Sequence, residues 1–259
     1  MRAIQFLAIL FTLTAVNAAD SPAPVRTPPV AVFIKAEKRT PDITEATARL
    51  FRGTNALRVG DGKMALQASP ELTAAAVSFA VFMADTERYG HEADGMIPAD
   101  RAKKAGYDAC IVAENLAYQY LSTGFTTDEL VAALLEGWMD SRGHRANLLD
   151  ADVTQLGVAI ARSKKSGKYY AVQLFGRPRS LEIAFTVRND TGQPLRYGFA
   201  SKDMSLPART TVTHSLCRSA QLKFDWPGRQ PGTTLEAQNG QSYVISRAQD
   251  GTFRVVKNP

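Results

Sequence analysis

The stretch Gly137-Trp138-Met139-Asp140-Ser141-Arg142-Gly143-His144-Arg145-Ala146-Asn147-Leu148-Leu149 decides the reading of this chain. It closes a helical segment, carries one of only three histidines, and stands shortly before two strands. Just upstream, Thr126 with Glu129 has the spacing of a capping box. Leu130, Leu134, Trp138 and Ser141 then recur at helical spacing as the inner face of that helix. Downstream, residues 155–162 and 168–176 read as strands. The polar turn Ser163-Lys164-Lys165-Ser166-Gly167 joins them and is expected to face solvent.

Working back towards the N-terminus, further helices precede this unit. One starts near Pro41, with Thr40 as its expected N-cap and Ile43, Ala46, Leu50, Phe51 and Leu57 on its apolar face. Gly60 and Gly62 end it. Ser69-Pro70-Glu71 opens a second, with Leu72, Ala75, Ala76, Phe79, Phe82 and Met83 buried, and Gly90 is expected to stop it. A short third runs over residues 98–104 and closes at Gly106. Residues 111–118 are apolar except for the adjacent pair Glu114-Asn115. Helices followed by paired strands predict an α+β layered domain over residues 41–180. Beyond it the helical period disappears. Residues 181–187, 195–199, 210–216, 221–224, 242–246 and 252–256 are short strand candidates separated by Gly, Pro, Asn and Asp, which predicts a small all-β C-terminal domain over residues 181–259.

Residues 1–18 read as a secretory signal: Arg2 supplies the charge, residues 3–16 the apolar core, and Val16-Asn17-Ala18 the small-residue cleavage site. Cleavage leaves 259 − 18 = 241 residues. Residues 19–40 form a Pro-rich lead-in with a short strand expected at 30–34. The expected destination is secreted or periplasmic, not integral to the membrane. The chain carries 31 Lys+Arg against 25 Asp+Glu, and 10 basic against 6 acidic residues lie from Leu181 onward. That excess favours anionic surfaces or simply solubility. Nucleic acid is not an expected partner, since no basic helix is interleaved with stacking aromatics. Two cysteines, Cys110 and Cys217, suit an oxidising compartment. They are either bonded, tying the two halves together, or small buried hydrophobes.

Among the polar residues, His91 follows the glycine expected to end the second helix, and His144 follows Gly143. Glu114 lies between them in an apolar run where an unpaired carboxylate is costly to bury. Two imidazoles and a carboxylate are the donors of a divalent-metal set, or of an acid–base cluster; a histidine at a helix end is equally a hydrogen-bonded structural residue. Gln173 alternates with Tyr169, Ala171 and Phe175 and is expected to be a cross-strand partner.

Four blocks in series, Ala113-Glu114-Asn115-Leu116-Ala117, residues 137–149, Leu156-Gly157-Val158-Ala159 and residues 169–176, resemble the CAP superfamily. This superfamily, also called SCP-like, includes cysteine-rich secretory, antigen-five and pathogenesis-related proteins. Asn55-Ala56-Leu57-Arg58 is similar to the family's Asn-x-x-Arg pattern, and Ser141-Arg142-Gly143-His144-Arg145 to its bacterial branch. The resemblance implies an α-β-α sandwich whose cleft is lined by a His/Glu/Glu/His tetrad that binds zinc in some members. Carried over, the tetrad falls on His91, Glu114 and His144, with Ser141 where the second Glu would stand. On a helical wheel at about 100° per residue, neither Asp140 nor Glu136 replaces it. Zinc on His91, Glu114 and His144 would keep an open position at the loss of one negative charge. Ser141 lacks a nucleophile-elbow context and is expected to be structural.

Three functions follow. The first is binding of an envelope or extracellular ligand, whether lipid, glycan or protein, in a cleft formed by His91, Glu114, Ser141 and His144. The alternative is a metal-assisted or acid–base hydrolase acting on peptides or cell-wall polymer. The third is recognition by the β domain. No complete catalytic constellation is present, which ranks binding first.

Overall fold

The computed structural model describes residues 39–258. The expected signal segment, most of the Pro-rich lead-in and the strand at 30–34 lie outside them. Helix α1 (Ile43–Gly60) is capped by Asp42, whose side chain accepts from the Glu45 amide at 3.0 Å. The expected Thr40 cap is displaced by two residues, because Pro41 steers the preceding residue away from helical backbone and an Asp carboxylate is a strong N-cap. After the short strand β1 (Gln67–Ala68), helix α2 (Pro70–Thr86) starts at its predicted cap Ser69. It stops before Gly90: Glu87 takes a left-handed conformation at φ 58° and donates its amide to Met83 O. Helix α3 (Pro98–Lys104) follows, and the apolar run becomes strand β2 (Ala109–Gln119). Helix α4 (Thr127–Asp140) carries the predicted capping box, and a short helix α5 (Arg142–Leu148) comes directly after it. Strands β3 (Gln155–Arg162) and β4 (Tyr169–Pro178) complete the first half.

These strands form one sheet in the order β1-β3-β4-β2. β4 is antiparallel to both β3 and β2, which leaves β2 at an edge. Leu50, Leu134, Trp138, Leu156 and Phe175 pack α1, α4 and α5 on one face. Phe79, Met83, Tyr170, Val172 and Leu174 pack α2 and α3 on the other. The predicted α-β-α sandwich is therefore the observed one. Gly157 shows how closely the layers approach, since a Cβ there would run into the α2 backbone at Leu72 and Thr73. In the β3–β4 turn, Lys164 and Lys165 are exposed as expected, but Ser163 is buried because its hydroxyl donates to Glu87.

A 3-10 turn (Arg179–Leu181) leads into eight strands: β5 (Ile183–Asn189), β6 (Leu195–Phe199), β7 (Lys202–Leu206), β8 (Thr211–Leu216), β9 (Gln221–Asp225), β10 (Thr233–Glu236), β11 (Ser242–Arg247) and β12 (Phe253–Asn258). They make two four-stranded sheets, β10-β9-β6-β7 and β12-β11-β5-β8. A core including Phe185, Tyr197, Phe224 and Tyr243 is shared between them. β7 and β10 have no counterpart in the sequence reading. Both are edge strands of the same sheet with mostly polar or exposed residues, so they lack the apolar alternation that marks inner strands.

The two halves pack as one unit. Cys110 and Cys217 are bonded across the junction. Arg218 pairs with Asp150 at 2.8 Å and with Asp152 at 3.3 Å.

Candidate functional site

The site is built around the edge strand β2. Alternation along a strand sends Glu114 and Asn115 to opposite faces. Glu114 turns towards α3 and the segment after α2, and Asn115 towards α5. Glu114 is almost fully buried, and it is not alone there. Arg101 of α3, whose side chain is itself 3% exposed, donates Nη2 to Glu114 Oε1 at 3.0 Å and to Oε2 at 2.8 Å. The same guanidinium donates to Asp94 Oδ1 at 2.7 Å, Met96 O at 2.6 Å and His91 O at 2.7 Å. Its Cζ lies 3.6 Å from the Phe79 ring centroid. A cation at that distance over a desolvated ring gains further attraction from the ring quadrupole. Arg101 therefore ties the 91–96 turn to the strand.

His91 sits in that turn, following Gly90 at φ 136°, with its side chain half exposed. Its Nδ1 is 2.7 Å from Glu114 Oε1. Burial pushes the Glu114 carboxyl above its ordinary range, although the His91 hydrogen bond and the Arg101 charge pull the other way. His144 lies on α5, across the edge of β2. Burial holds its imidazole below the usual histidine range, and the charge of His91 lowers it further. The depressed value favours the neutral imidazole of His144.

A second set of hydrogen bonds fixes α5. Asn115 donates to His144 O at 3.0 Å and to Gln173 Oε1 at 3.1 Å. Asn147 donates to Glu114 O at 3.1 Å and to Asn115 Oδ1 at 3.0 Å. Gln173 donates to Thr54 Oγ1 at 2.6 Å. Asn115 faces Gln173 in the β2–β4 register, so Gln173 is the expected cross-strand partner. The network joins α1, β2, β4 and α5, and each buried amide in it has a partner, as burial of polar groups requires. The Asn-x-x-Arg pair is structural too. Asn55 exchanges two hydrogen bonds with the Leu66 backbone, and the buried Arg58 donates to Met64 O, Leu148 O and Asp150 O.

Ser141 departs from the sequence reading. It is both the last cap of α4 and the first cap of α5, with extended backbone at φ −88° and ψ 118°. The helical wheel therefore ends at Asp140, and Ser141 is not part of the α4 inner face. Its side chain makes no cap hydrogen bond.

A divalent ion does not fit these donors as they stand. Both Glu114 oxygens are engaged by a guanidinium, which would repel a cation at the same place. The His91 Nδ1 is turned to Glu114. Among the described residues, the only three His, Cys, Asp or Glu ligand atoms lying within 4.8 Å of one another belong to Cys110, Glu182 and Cys217, and those sulfurs are bonded to each other.

Residues 51–175 match the CAP family, described as the cysteine-rich secretory protein family. These residues are a CAP domain. The chain is 29% identical over 136 residues to the uncharacterized membrane protein YlbC of Bacillus subtilis, covering 52% of this chain and 35% of that one. It is 30% identical over 125 residues to the uncharacterized protein YkwD of the same organism, covering 48% and 44%. It thus spans less than half the length of these two curated relatives. Among solved structures, an outer surface protein from Borrelia burgdorferi is 20% identical with a TM-score of 0.47, covering 53% of this chain and 96% of that one. An extracellular SCP-domain protein from Bacillus anthracis is 25% identical with a TM-score of 0.44, covering 52% and 41%. No helix among the described residues is long and apolar enough to cross a membrane.

Within the CAP domain the structure brings His91 and Glu114 into contact, sets His144 across the strand edge, and leaves Ser141 at a helix break. Arg101 was not among the sequence candidates. The available signal was Glu114 itself: a carboxylate in an apolar run needs a cation, and Arg101 lies between it and His91 on a short helix that buries only Arg101 and Ala102.

Proposed function

We propose that this chain is an exported CAP-domain protein that binds an envelope or extracellular ligand at the face formed by His91, Glu114 and His144, without a resident metal. The observation that carries the reading is the Arg101 guanidinium on both oxygens of Glu114. A carboxylate held in that way is a poor metal ligand, because the guanidinium charge on both of its oxygens repels a second cation. What remains presented outward is the half-exposed His91 ring and the neutral His144, which can orient a ligand by hydrogen bonding. Export is supported by the signal-like residues 1–18, by the disulfide, and by membership in a family described as secretory. Whether the ligand is a lipid, a glycan or a protein is decided by native mass spectrometry of untagged protein purified from its own envelope fraction. A retained mass that is lost in His91→Ala and His144→Ala supports the proposal. Stoichiometric zinc in the purified protein, removed by the same substitutions, would replace it with a metal-centred reading.

A further inference from the structure

One three-residue segment of the β half touches both elements that carry the site. Cys217, Arg218 and Ser219 connect β8 to β9. Cys217 is bonded to Cys110, which lies on β2 four residues before Glu114. Arg218 Nη1 donates to Asp150 Oδ1 at 3.0 Å, Asp150 Oδ2 at 2.8 Å and Asp152 Oδ2 at 3.3 Å. The Ser219 amide donates to Asp152 Oδ1 at 2.9 Å. Asp150 and Asp152 belong to the segment that leaves the C-terminus of α5, the helix carrying His144. From inside, Arg58 grips that same segment through Leu148 O at 2.6 Å and Asp150 O at 2.9 Å.

β2 needs such a hold. As an edge strand it is laddered only to β4. Its outer side is fastened by single side-chain bonds, Trp138 Nε1 to Leu116 O at 3.1 Å and Asn147 Nδ2 to Glu114 O at 3.1 Å. The Arg218 side chain is half exposed while its Asp150 and Asp152 partners are mostly buried, so the ion pairs hold less firmly than a covalent bond. The covalent bond is therefore what keeps the segment seated. A cavity of about 450 Å³, lined by Cys110, Val112, Ala200, Leu216 and Cys217, lies against that bond and gives a small reductant access to it.

We infer that residues 217–219 are a strap that positions β2 and α5 against one another, and that reduction of Cys110–Cys217 releases it and loosens the Asn115–His144 O and Asn147–Glu114 O contacts between them. The inference rests on the reading of that face as the binding site and adds its control. The chemistry is thiol–disulfide exchange. A thiolate of a dithiol reductant attacks one sulfur, giving a mixed disulfide and freeing the other cysteine. The reductant's second thiol then closes its own disulfide, so Cys110 and Cys217 gain two electrons and two protons and end as thiols. Cys217 and Arg218 act here as positioning residues, since they reach the site only through β2 and the 148–152 segment.

The test is amide hydrogen exchange by mass spectrometry on the full chain, with the bond intact and after dithiothreitol. The expected result is exchange faster by about tenfold or more at residues 109–119 and 142–152, with α2 residues 70–86 unchanged. In the oxidised protein, Arg218→Ala should speed exchange at 142–152 alone, and Arg218→Lys should restore most of the protection. If reduction unfolds the whole chain, the Arg218 pair of variants decides the matter in the oxidised state. Acceleration confined to β5–β12, an equal rise in α2 under conditions where the chain stays folded, or no change at 142–152 in Arg218→Ala would overturn the strap. The exchange readout needs no ligand. Failure of the binding proposal would therefore show in mass spectrometry of the retained ligand and leave this result intact.

Discussion

Replacing Arg101 by Met tests the centre of the site most directly. The substitution keeps much of the side-chain volume and the contact with Phe79. It deletes the donors to Glu114, Asp94, Met96 O and His91 O. Both members of the main pair are nearly inaccessible, at 3% and 1% side-chain exposure, so solvent screening gives little relief. Removing one partner of a buried ion pair costs about 3–5 kcal/mol, chiefly because the other charge is stranded. The Arg101→Met variant should lose that amount at pH 7, measured by guanidinium unfolding followed through tryptophan fluorescence. Adding Glu114→Gln removes the stranded charge, so the double variant should be more stable than Arg101→Met alone, with a coupling of about 1–3 kcal/mol. The pH dependence has a definite sign. Burial already raises the Glu114 carboxyl from its ordinary 4.5, and loss of the guanidinium raises it further. A raised folded value means the native state binds the proton more tightly than the unfolded state. The deficit should therefore be smallest below about 4.5 and grow as pH climbs through the folded value. A loss under about 1 kcal/mol at pH 7, or a deficit that widens on acidification, would refute the assignment of Arg101 as the counter-ion of Glu114.

Three further outcomes are expected. The Cys110→Ser, Cys217→Ser double variant opens a crosslink of sequence separation 107, for which loop-closure entropy gives about 4.8 kcal/mol. Calorimetry should show a fall in Tm of about 10–20 °C for a unit of this size. Gly157→Ala should cost about 1–3 kcal/mol or more in denaturant unfolding, since the added methyl meets the α2 backbone and not a movable side chain. His144 should titrate below its ordinary 6.5 in a proton–carbon NMR series. Because its folded value is depressed, its contribution is retained above 6.5 and declines as pH falls, and His144→Gln should flatten that slope.

Much of the fold was legible because local signals agreed with their surroundings. The capping box at Thr126 and Glu129, the Ser69 cap and the apolar spacing of α2 are short-range features, and each element formed where its own residues favour it. Boundaries failed where two neighbours competed. Asp42 displaced Thr40 as the cap, Glu87 ended α2 before Gly90, and Ser141 broke the helix whose wheel had been carried through it. β7 and β10 were invisible because edge strands can be polar on most of their length.

The candidate residues His91, Glu114 and His144 could be named from their order along the chain, but their roles could not. A buried carboxylate can hold a metal, take a proton or pair with an arginine, and the amino-acid string permits all three. The packing of α3 against β2 supplies the contact that the string does not display, by setting Arg101 on both oxygens of Glu114 and over the ring of Phe79. The same holds for the two cysteines. Their number and compartment allowed a bond, but their residues are 107 apart, and only the docking of the β half beside the edge of β2 brought the Cα atoms to 5.3 Å. Helices and strands are set by interactions a few residues long, which a sequence displays. Ion pairs and crosslinks between distant segments depend on how whole layers meet, and that is a property of the tertiary structure alone.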